Sequence, residues 1–121
     1  MEETLFDSQG NPVAYINYND EATIYLCDGT PVAYLSDNNT VYGFNGNHLG
    51  WYEDGIIRNL NGEKSGFNKE TLSVYAKYEP YKSYAKYKPY KSYKKYAKYK
   101  PYYKYVNSNE GLIEFLNKGK R

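Results

Sequence analysis

Residue types that carry distinctive chemistry are scarce in this chain. Among its 121 residues there is one cysteine, Cys27, and one histidine, His48. A single cysteine forms no disulfide within the chain, and a lone histidine without partners at ligand spacing does not indicate a metal site. Cys27 would need a base to act as a nucleophile, so we interpret it as a packing residue. His48 occupies a repeat position that elsewhere holds proline or lysine, which predicts an exposed strand residue.

The carboxylates give no better indication of catalysis. They lie in or beside expected turns, where aspartate is favoured because its side chain bonds to the local backbone. The residues concerned are Asp7, Asp20, Asp28, Asp37, Glu53 and Asp54. We therefore predict no enzymatic activity, no catalytic residue, no metal and no cofactor.

Long apolar segments are absent as well. No stretch approaches the roughly 20 apolar residues of a membrane span, and the acidic start of the chain is not followed by the apolar core of a signal peptide. A lone cysteine also favours a reducing compartment. We expect a cytoplasmic protein without a membrane partner.

The charged residues are segregated along the chain, although the net charge is only +2. Residues 1–74 hold eleven acids against three bases, a net charge of −8. Residues 75–105 hold ten lysines against one acid, a net charge of +9. This distribution predicts a basic segment that either neutralises an acidic body or projects from it as an exposed arm.

The first 67 residues contain four copies of one pattern, which is the kind of repeat that decides a fold. Each copy has an aliphatic residue five positions before a glycine, a small residue four positions after it and an aromatic residue one further on. The aliphatic residues are Leu5, Ile24, Val41 and Ile57; the glycines are Gly10, Gly29, Gly46 and Gly62; the small residues are Ala14, Ala33, Gly50 and Gly66; the aromatic residues are Tyr15, Tyr34, Trp51 and Phe67.

Each copy predicts a β-hairpin. Asp-Gly and Asn-Gly between short apolar runs indicate type I′ turns, in which both central residues have positive φ. The predicted strands are 5–8, 12–17, 23–27, 31–35, 40–44, 48–52, 55–60 and 64–68. Isolated hairpins are marginal in water, so the four must pack together. We expect an all-β, pseudo-four-fold ring in which the small residues lie where backbones crowd and the aromatic residues form the core. A linear array or an eight-stranded sandwich stays open.

The motifs of these copies resemble a known family. Gly10–Tyr15 and Gly29–Tyr34 both read G-x-P-V-A-Y, and Gly46–Tyr52 reads G-N-H-L-G-W-Y. They resemble the bacterial four-fold β-flower domains over residues 5–67. The resemblance implies four hairpins around a central axis, then a segment rich in proline and lysine and a short terminal helix. It implies no enzymatic activity. Arg58 departs from the pattern, because an aromatic residue stands there in the second and third copies.

Tyrosine recurs at every third position from Tyr75 to Tyr105. This period fits neither the alternation of a strand nor the 100° steps of an α-helix. Polyproline II has three residues per turn, so it would place the tyrosines along one edge and the lysines on the other two. We predict such a helix over 75–106, although 90–100 lacks proline and is open to α-helix. The segment either wraps around the body or projects from it.

The chain closes with an amphipathic pattern. Asn107-Ser108 can cap a helix through 110–117, and the apolar residues of this helix should dock on the hairpins. We therefore divide the chain into a repeat domain at 1–74, an extended segment at 75–106 and a terminal helix at 107–121.

The function predicted from these features is that of a non-catalytic structural or interaction module. The alternative is binding of nucleic acid or another polyanion, because aromatic residues stack on bases and lysines neutralise phosphates. The absence of arginine from the segment argues against it. The partner is a polyanion or another protein, and self-assembly through tyrosines of neighbouring chains is a third possibility. The candidate residues for the polyanion are Tyr78, Lys82, Tyr84, Lys86, Lys88, Tyr90, Lys91, Lys94, Lys95, Lys98 and Lys100.

Overall fold

Eight antiparallel strands follow one another around a closed barrel in the computed structural model, which describes residues 1–78 and 82–121. The strands are β1 (Glu2–Phe6), β2 (Pro12–Asn17), β3 (Thr23–Leu26), β4 (Pro31–Leu35), β5 (Thr40–Gly43), β6 (His48–Glu53), β7 (Ile56–Asn59) and β8 (Lys64–Phe67). A 3-10 turn at Asp37–Asn39 precedes β5, and the helix α1 (Leu112–Asn117) follows the last strand. Predictions that fall on Glu79, Pro80 and Tyr81 lie outside the described residues.

The barrel consists of four consecutive hairpins, which we number 1 to 4 from β1–β2 to β7–β8. Each hairpin also pairs with the next, and Phe6 of β1 pairs with Phe67 of β8 to close the ring. The ring of four hairpins is therefore confirmed, and the linear array and the sandwich are excluded.

The predicted turn type is wrong. Only the glycine of each turn has a positive φ, as at Gly10 (84°) and Gly29 (91°), while the residue before it does not. In hairpin 1 the Gly10 N–H donates to the Asp7 carbonyl at 3.1 Å, and the Asp7 N–H donates to the Asn11 carbonyl at 3.0 Å. This three-residue loop ends in a left-handed glycine, a connection that needs one positive φ where type I′ needs two. The same pair of bonds recurs in all four hairpins.

The boundaries that differ from the prediction by more than one residue are those of β1 and the terminal helix. Strand β1 begins at Glu2 and ends at Phe6, three and two residues earlier than expected, because Asp7 already belongs to the turn. The terminal helix begins at Leu112 with Gly111 as its N-cap, so Asn107 and Ser108 do not cap it. The Ser108 hydroxyl accepts a hydrogen bond from the Glu110 N–H at 3.1 Å in the turn that precedes the helix.

The interior of the barrel is built from large residues placed opposite small ones. Every aliphatic residue of the repeat pairs directly with the small residue of the same hairpin: Leu5 with Ala14, Ile24 with Ala33, Val41 with Gly50, and Ile57 with Gly66. The four aliphatic side chains are completely buried in one cluster. Small partners leave room for the large ones in a narrow ring. The predicted crowding of backbones is found at Gly50, which lies against the backbone of Arg58, whereas Gly66 lies against the side chain of Leu112.

The aromatic residues do not form this interior, and that expectation is wrong. Side chains alternate along a strand, so Tyr15 lies on the opposite face from Ala14 and Ile16, which belong to the interior cluster. Tyr15 stacks on Tyr25 with ring centroids 5.5 Å apart. The aromatic residues therefore form an outer layer on the wall of the barrel.

The helix α1 supplies the last part of the interior. Its buried residues Leu112, Phe115 and Leu116 join the aliphatic cluster of the barrel. A Cβ on Gly66 would lie 2.8 Å from the Leu112 side chain, so the glycine makes room for the helix. The helix is followed by Gly119, which packs against the backbone of the barrel.

Candidate functional site, a collar of tyrosines

Residues 75–78 and 82–105 form the described part of a collar that passes all four hairpin turns in chain order. The amide N–H groups of four lysines, spaced nine residues apart, donate to the carbonyl oxygens of the four turn glycines. The pairs are Lys77 with Gly10, Lys86 with Gly29 and Lys95 with Gly46, each at 2.9 Å, and Lys104 with Gly62 at 3.0 Å. No helix or strand occurs in the described part of the collar. The basic segment therefore wraps around the barrel and does not project from it.

The two backbones also come close together at the turn glycines. A Cβ on Gly29 would lie 2.1 Å from the Tyr84 carbonyl oxygen, and a Cβ on Gly46 would lie 2.2 Å from that of Tyr93. Glycine is therefore required twice over, for its positive φ and for this approach. The collar residues at these contacts are again nine apart.

Side chains of the barrel add further bonds at the same interval. The Tyr42 hydroxyl donates to the Lys95 carbonyl at 2.8 Å, and the Arg58 guanidinium donates to the Lys104 carbonyl at 2.6 Å. Arg58 occupies the repeat position of Tyr42, so its departure from the pattern preserves the contact. The guanidinium also lies 4.3 Å from the ring centroid of Tyr103, the one collar tyrosine outside the period of three.

Several lysines of the collar turn inward onto the acidic barrel. Lys88 lies 2.6 Å from the Asp20 carboxylate and 3.0 Å from that of Glu21, and Lys100 lies 2.8 Å from Glu53. The hydrogen bond from Lys88 holds the pKa of Asp20 below its ordinary value. The hydrogen bond from Lys100 does the same for the pKa of Glu53. In these contacts the positive charge of the collar meets the negative charge of the barrel.

Other inward lysines cover the outer aromatic layer. The Lys82 ammonium lies 5.0 Å from the ring centroid of Tyr15, and the Lys91 ammonium lies 4.2 Å from that of Tyr34. These positions, nine residues apart, are within the range of cation–π attraction. Lysines of the collar, and not its exposed tyrosines, therefore cover this layer.

The tyrosines of the period-three series face solvent. Ten of them are described, and every one is at least 89% exposed. They are Tyr75, Tyr78, Tyr84, Tyr87, Tyr90, Tyr93, Tyr96, Tyr99, Tyr102 and Tyr105. A backbone with three residues per turn places every third side chain on one edge, so this common orientation agrees with the predicted period. The described part of the collar thus presents a row of exposed phenol rings.

The candidate polyanion residues are consequently divided between two environments. Tyr78, Tyr84 and Tyr90 belong to the exposed row, whereas Lys82, Lys88, Lys91 and Lys100 pair with carboxylates of the barrel. Lys86 and Lys94 contact the hydroxyls of Thr30 and Ser36. Within the described part of the chain, the ammonium groups of Lys95 and Lys98 make no ion pair.

His48 is buried and not exposed as expected. A carbonyl only accepts and an amide N–H only donates, so its two bonds define the neutral form of the ring. Nε2–H donates to the Gly50 carbonyl at 2.9 Å, and Nδ1 accepts the Lys98 amide at 3.0 Å. Burial lowers the pKa of His48. His48 therefore ties the collar to β6 and is not poised as a catalytic base.

The surroundings of Cys27 are those of a structural residue. Cys27 is half-buried beside its turn, and its carbonyl accepts the Ser83 amide of the collar at 3.1 Å. Residues 1–78 and 82–121 contain no group of three or more His, Cys, Asp or Glu side chains suited to a metal ion. Across the same residues, no helix is both long and apolar enough to span a bilayer.

The nine-residue register of the collar was not recognised in the sequence analysis. Its signal is present, since residues 76–84 and 85–93 are identical except at Glu79 and Lys88. The period of three masked it, because nine is a multiple of three. The nine-residue repeat can be interpreted only together with the four hairpin turns, because each turn accepts one contact from the collar.

Comparison with known proteins supports the architecture. The sequence model of the family described as "4-fold beta flower protein" matches residues 3–116, which covers the barrel, the collar and nearly all of α1. The chain belongs to the four-fold β-flower family. The family description names no activity for the β-flower. No curated protein and no solved structure matches this β-flower chain.

Proposed function

We propose that this β-flower is a non-catalytic interaction module that presents its exposed tyrosine row to a partner protein. The observation that carries the proposal is the exposure of ten tyrosines on a backbone held at the four turns. Exposed aromatic residues in this number are typical of interaction sites, in which tyrosine is enriched relative to the remaining protein surface.

The row combines a residue type suited to interfaces with a backbone that is held in place. Tyrosine supplies a large amphipathic contact area and loses only two side-chain rotations on binding, which is why it is enriched in protein interfaces. The collar backbone is already ordered by its bonds to the turn glycines. Binding therefore loses no further backbone entropy in ordering it. Successive tyrosines lie three residues apart, about 9 Å along a polyproline II backbone.

The inward lysines support contact through aromatic rings more than through charge. Lys82, Lys88, Lys91 and Lys100 already face carboxylates of the barrel. A partner that approaches the collar from outside meets phenol rings first. Salt should therefore weaken this interaction only mildly.

Site-specific photo-cross-linking tests the proposal. A photoreactive phenylalanine analogue replaces Tyr87 or Tyr96 in the row, and a matched control places it at Asn19, an exposed residue of the barrel. In cells that produce the protein, we expect the two row positions to give the same discrete protein adduct and the control to give none. Equal labelling from all three positions would contradict the proposal.

A second set of variants separates binding from folding. Tyr87→Ser should change the free energy of unfolding by less than about 0.5 kcal/mol, because the ring is fully exposed. Tyr34→Ala should cost about 3–5 kcal/mol, because it removes a buried ring of the outer layer. Loss of the adduct in a folded multiple variant, with serine at Tyr84, Tyr87, Tyr96 and Tyr99, would assign the contact to the row.

Binding of nucleic acid or another polyanion stays the alternative hypothesis. It is favoured by Lys95 and Lys98, whose ammonium groups have no carboxylate partner in the described residues. It predicts binding of single-stranded DNA that falls steeply with salt. Absent or salt-insensitive binding would remove it. Self-assembly through the tyrosines is the third hypothesis, and light scattering that shows only monomer at every concentration would contradict it.

A further inference from the structure

The four-fold symmetry of the barrel creates four equivalent clefts, each between the turn of one hairpin and the turn of the next. In three of them, backbone hydrogen bonds of the chain span part of the cleft. Between hairpins 1 and 2 the backbones meet directly, since the Cys27 N–H donates to the Val13 carbonyl at 3.1 Å. Between hairpins 2 and 3 the end of the chain enters, where Asn45 donates to the carbonyls of Lys118 and Gly119 at 2.7 and 3.2 Å.

The cleft between hairpins 4 and 1 is occupied by the segment that leads into α1. Asn107 forms a parallel bridge with Lys64, and the Ser108 N–H donates to the Lys64 carbonyl at 2.7 Å. The remaining cleft, between hairpins 3 and 4, contains a hollow of about 700 Å³. A smaller hollow of about 310 Å³ remains beside the segment between hairpins 4 and 1, so the cleft between hairpins 3 and 4 is the more open of the two.

The hollow is lined by positively charged and amide side chains, although most of its exposed lining surface is apolar. Apart from His48, Tyr96 and two leucines, the lining consists of amides and ammonium groups: Asn47, Asn59, Asn61, Lys95, Lys98 and Lys118. No carboxylate is among these lining residues. The equivalent positions of other clefts hold acids, such as Asp28 and Glu63.

Several of the donors around the hollow are not engaged elsewhere. The ammonium groups of Lys95 and Lys98 and the side-chain amides of Asn47 and Asn61 make no hydrogen bond to another residue in ranges 1–78 and 82–121. Lys118 pairs with Glu110 at 2.8 Å, so its charge is already partly compensated. The hollow therefore offers two uncompensated cations together with neutral donors.

The position of Lys98 is specific to this quarter of the collar. Pro89 stands nine residues earlier and has neither an amide N–H nor a charge. Here the Lys98 amide bonds to Nδ1 of His48 at 3.0 Å, which fixes the backbone of the lysine at the rim of the hollow. His48 itself is neutral and fully bonded, so it supports the site without adding charge.

We infer that the hollow between hairpins 3 and 4 is a binding site for a small anion with phosphate groups. Ammonium and amide N–H groups are donors without acceptors, which suits the oxygens of phosphate. Lysine acts as a point charge on phosphate and needs no planar fork. Among the described tyrosines of the row, Tyr96 alone lines the hollow, and the cations of the site are lysines outside the row.

The test is titration of the full chain with inorganic pyrophosphate at constant ionic strength, followed by calorimetry and by amide NMR spectra. We expect saturable binding of one anion per chain, with the largest shift changes at the side-chain amides of Asn47 and Asn61. The double variant Lys95→Ala and Lys98→Ala should weaken binding at least about tenfold. Alanine keeps the Lys98 amide that bonds to His48, so the variant should stay folded, and its NMR spectrum verifies this.

The matched control removes the same charge elsewhere on the collar. Lys77→Ala with Lys86→Ala lies outside the hollow and should weaken pyrophosphate binding less than about twofold. Equal weakening by the two double variants would show general attraction to a basic surface and would overturn the inference. Failure to saturate at millimolar pyrophosphate would overturn it as well.

Discussion

Val41 of β5 lies directly opposite Gly50 of β6, a large residue against a missing side chain. A Cβ on Gly50 would lie 1.9 Å from the carbonyl oxygen of Arg58 in the next hairpin. The equivalent glycine of hairpin 4, Gly66, would instead meet the end of the Leu112 side chain at 2.8 Å. A backbone oxygen within a sheet yields much less easily than a leucine methyl group.

We therefore expect Gly50→Ala to destabilise the protein much more than Gly66→Ala. Overpacking a core costs about 1–3 kcal/mol, which is the range expected for Gly66→Ala, because Leu112 can shift. Gly50→Ala should exceed that range, because the ladder between β6 and β7 must move. Urea unfolding of both variants measures the difference. Equal stabilities would contradict the steric account of the ring.

Arg58 offers a test of the symmetry between copies. Arg58→Ala removes its bond to the Lys104 carbonyl and should cost about 1.5–3 kcal/mol, as for hydrogen bonds to charged groups. Arg58→Tyr should recover part of this loss, because Tyr42 makes the equivalent bond to Lys95. Hydrogen exchange at the Lys104 amide reports the same contact locally. If the tyrosine variant is no better than the alanine variant, the two positions are not equivalent.

The pairing of Lys88 with Asp20 predicts a dependence on acid. The pKa of Asp20 is lowered in the folded protein, so its contribution is present above the ordinary value of 3.8 and is lost as the pH falls through the folded value. Asp20→Asn should cost about 0.2–1 kcal/mol at pH 7, since both side chains are partly exposed, and less at pH 2.5.

Urea unfolding at the two pH values measures this effect. Asp37→Asn serves as the control, because Asp37 makes no ion pair with the described part of the collar. A loss for Asp20→Asn that is the same at both pH values would contradict an electrostatic role.

His48 predicts a second dependence at higher pH. Burial lowers its pKa below the ordinary value of 6.5, so the neutral ring stabilises the fold fully above pH 6.5. This contribution is lost as the pH falls through the folded pKa, because the unfolded chain binds the proton first. The free energy of unfolding should decrease between pH 7 and 5, and the slope should be reduced in His48→Gln. An NMR titration that places the pKa of His48 above 6.5 would contradict this.

The hairpin copies could be recognised from the sequence because the signals of each copy lie close together in the chain. The turn glycines, the aliphatic residues and the small residues recur at fixed distances, so pattern alone predicted eight strands and their grouping. It was harder to predict which face of each strand points into the barrel. In the sequence, Tyr15 and Tyr34 look like residues of the barrel interior. They lie on the outer face of the wall because the collar covers them there.

The collar shows where local reasoning ends. The period of three correctly predicted a common edge for the tyrosines, but not whether that edge faces the barrel or solvent. The orientation depends on contacts made by residues far apart in the chain, such as the Lys86 amide on Gly29. The burial of His48 is likewise set by the Lys98 amide, 50 residues away.

The wrapped collar, with its four contacts nine residues apart, is the central claim of this account. Residue-resolved hydrogen exchange of the native protein tests it most directly. The amides of Lys77, Lys86, Lys95 and Lys104 should exchange slowly, because each donates to a turn glycine, whereas the amides of Tyr87 and Tyr96 should exchange fast. Uniformly fast exchange from residue 82 to residue 104 would mean that the segment is a mobile arm, and it would contradict the account.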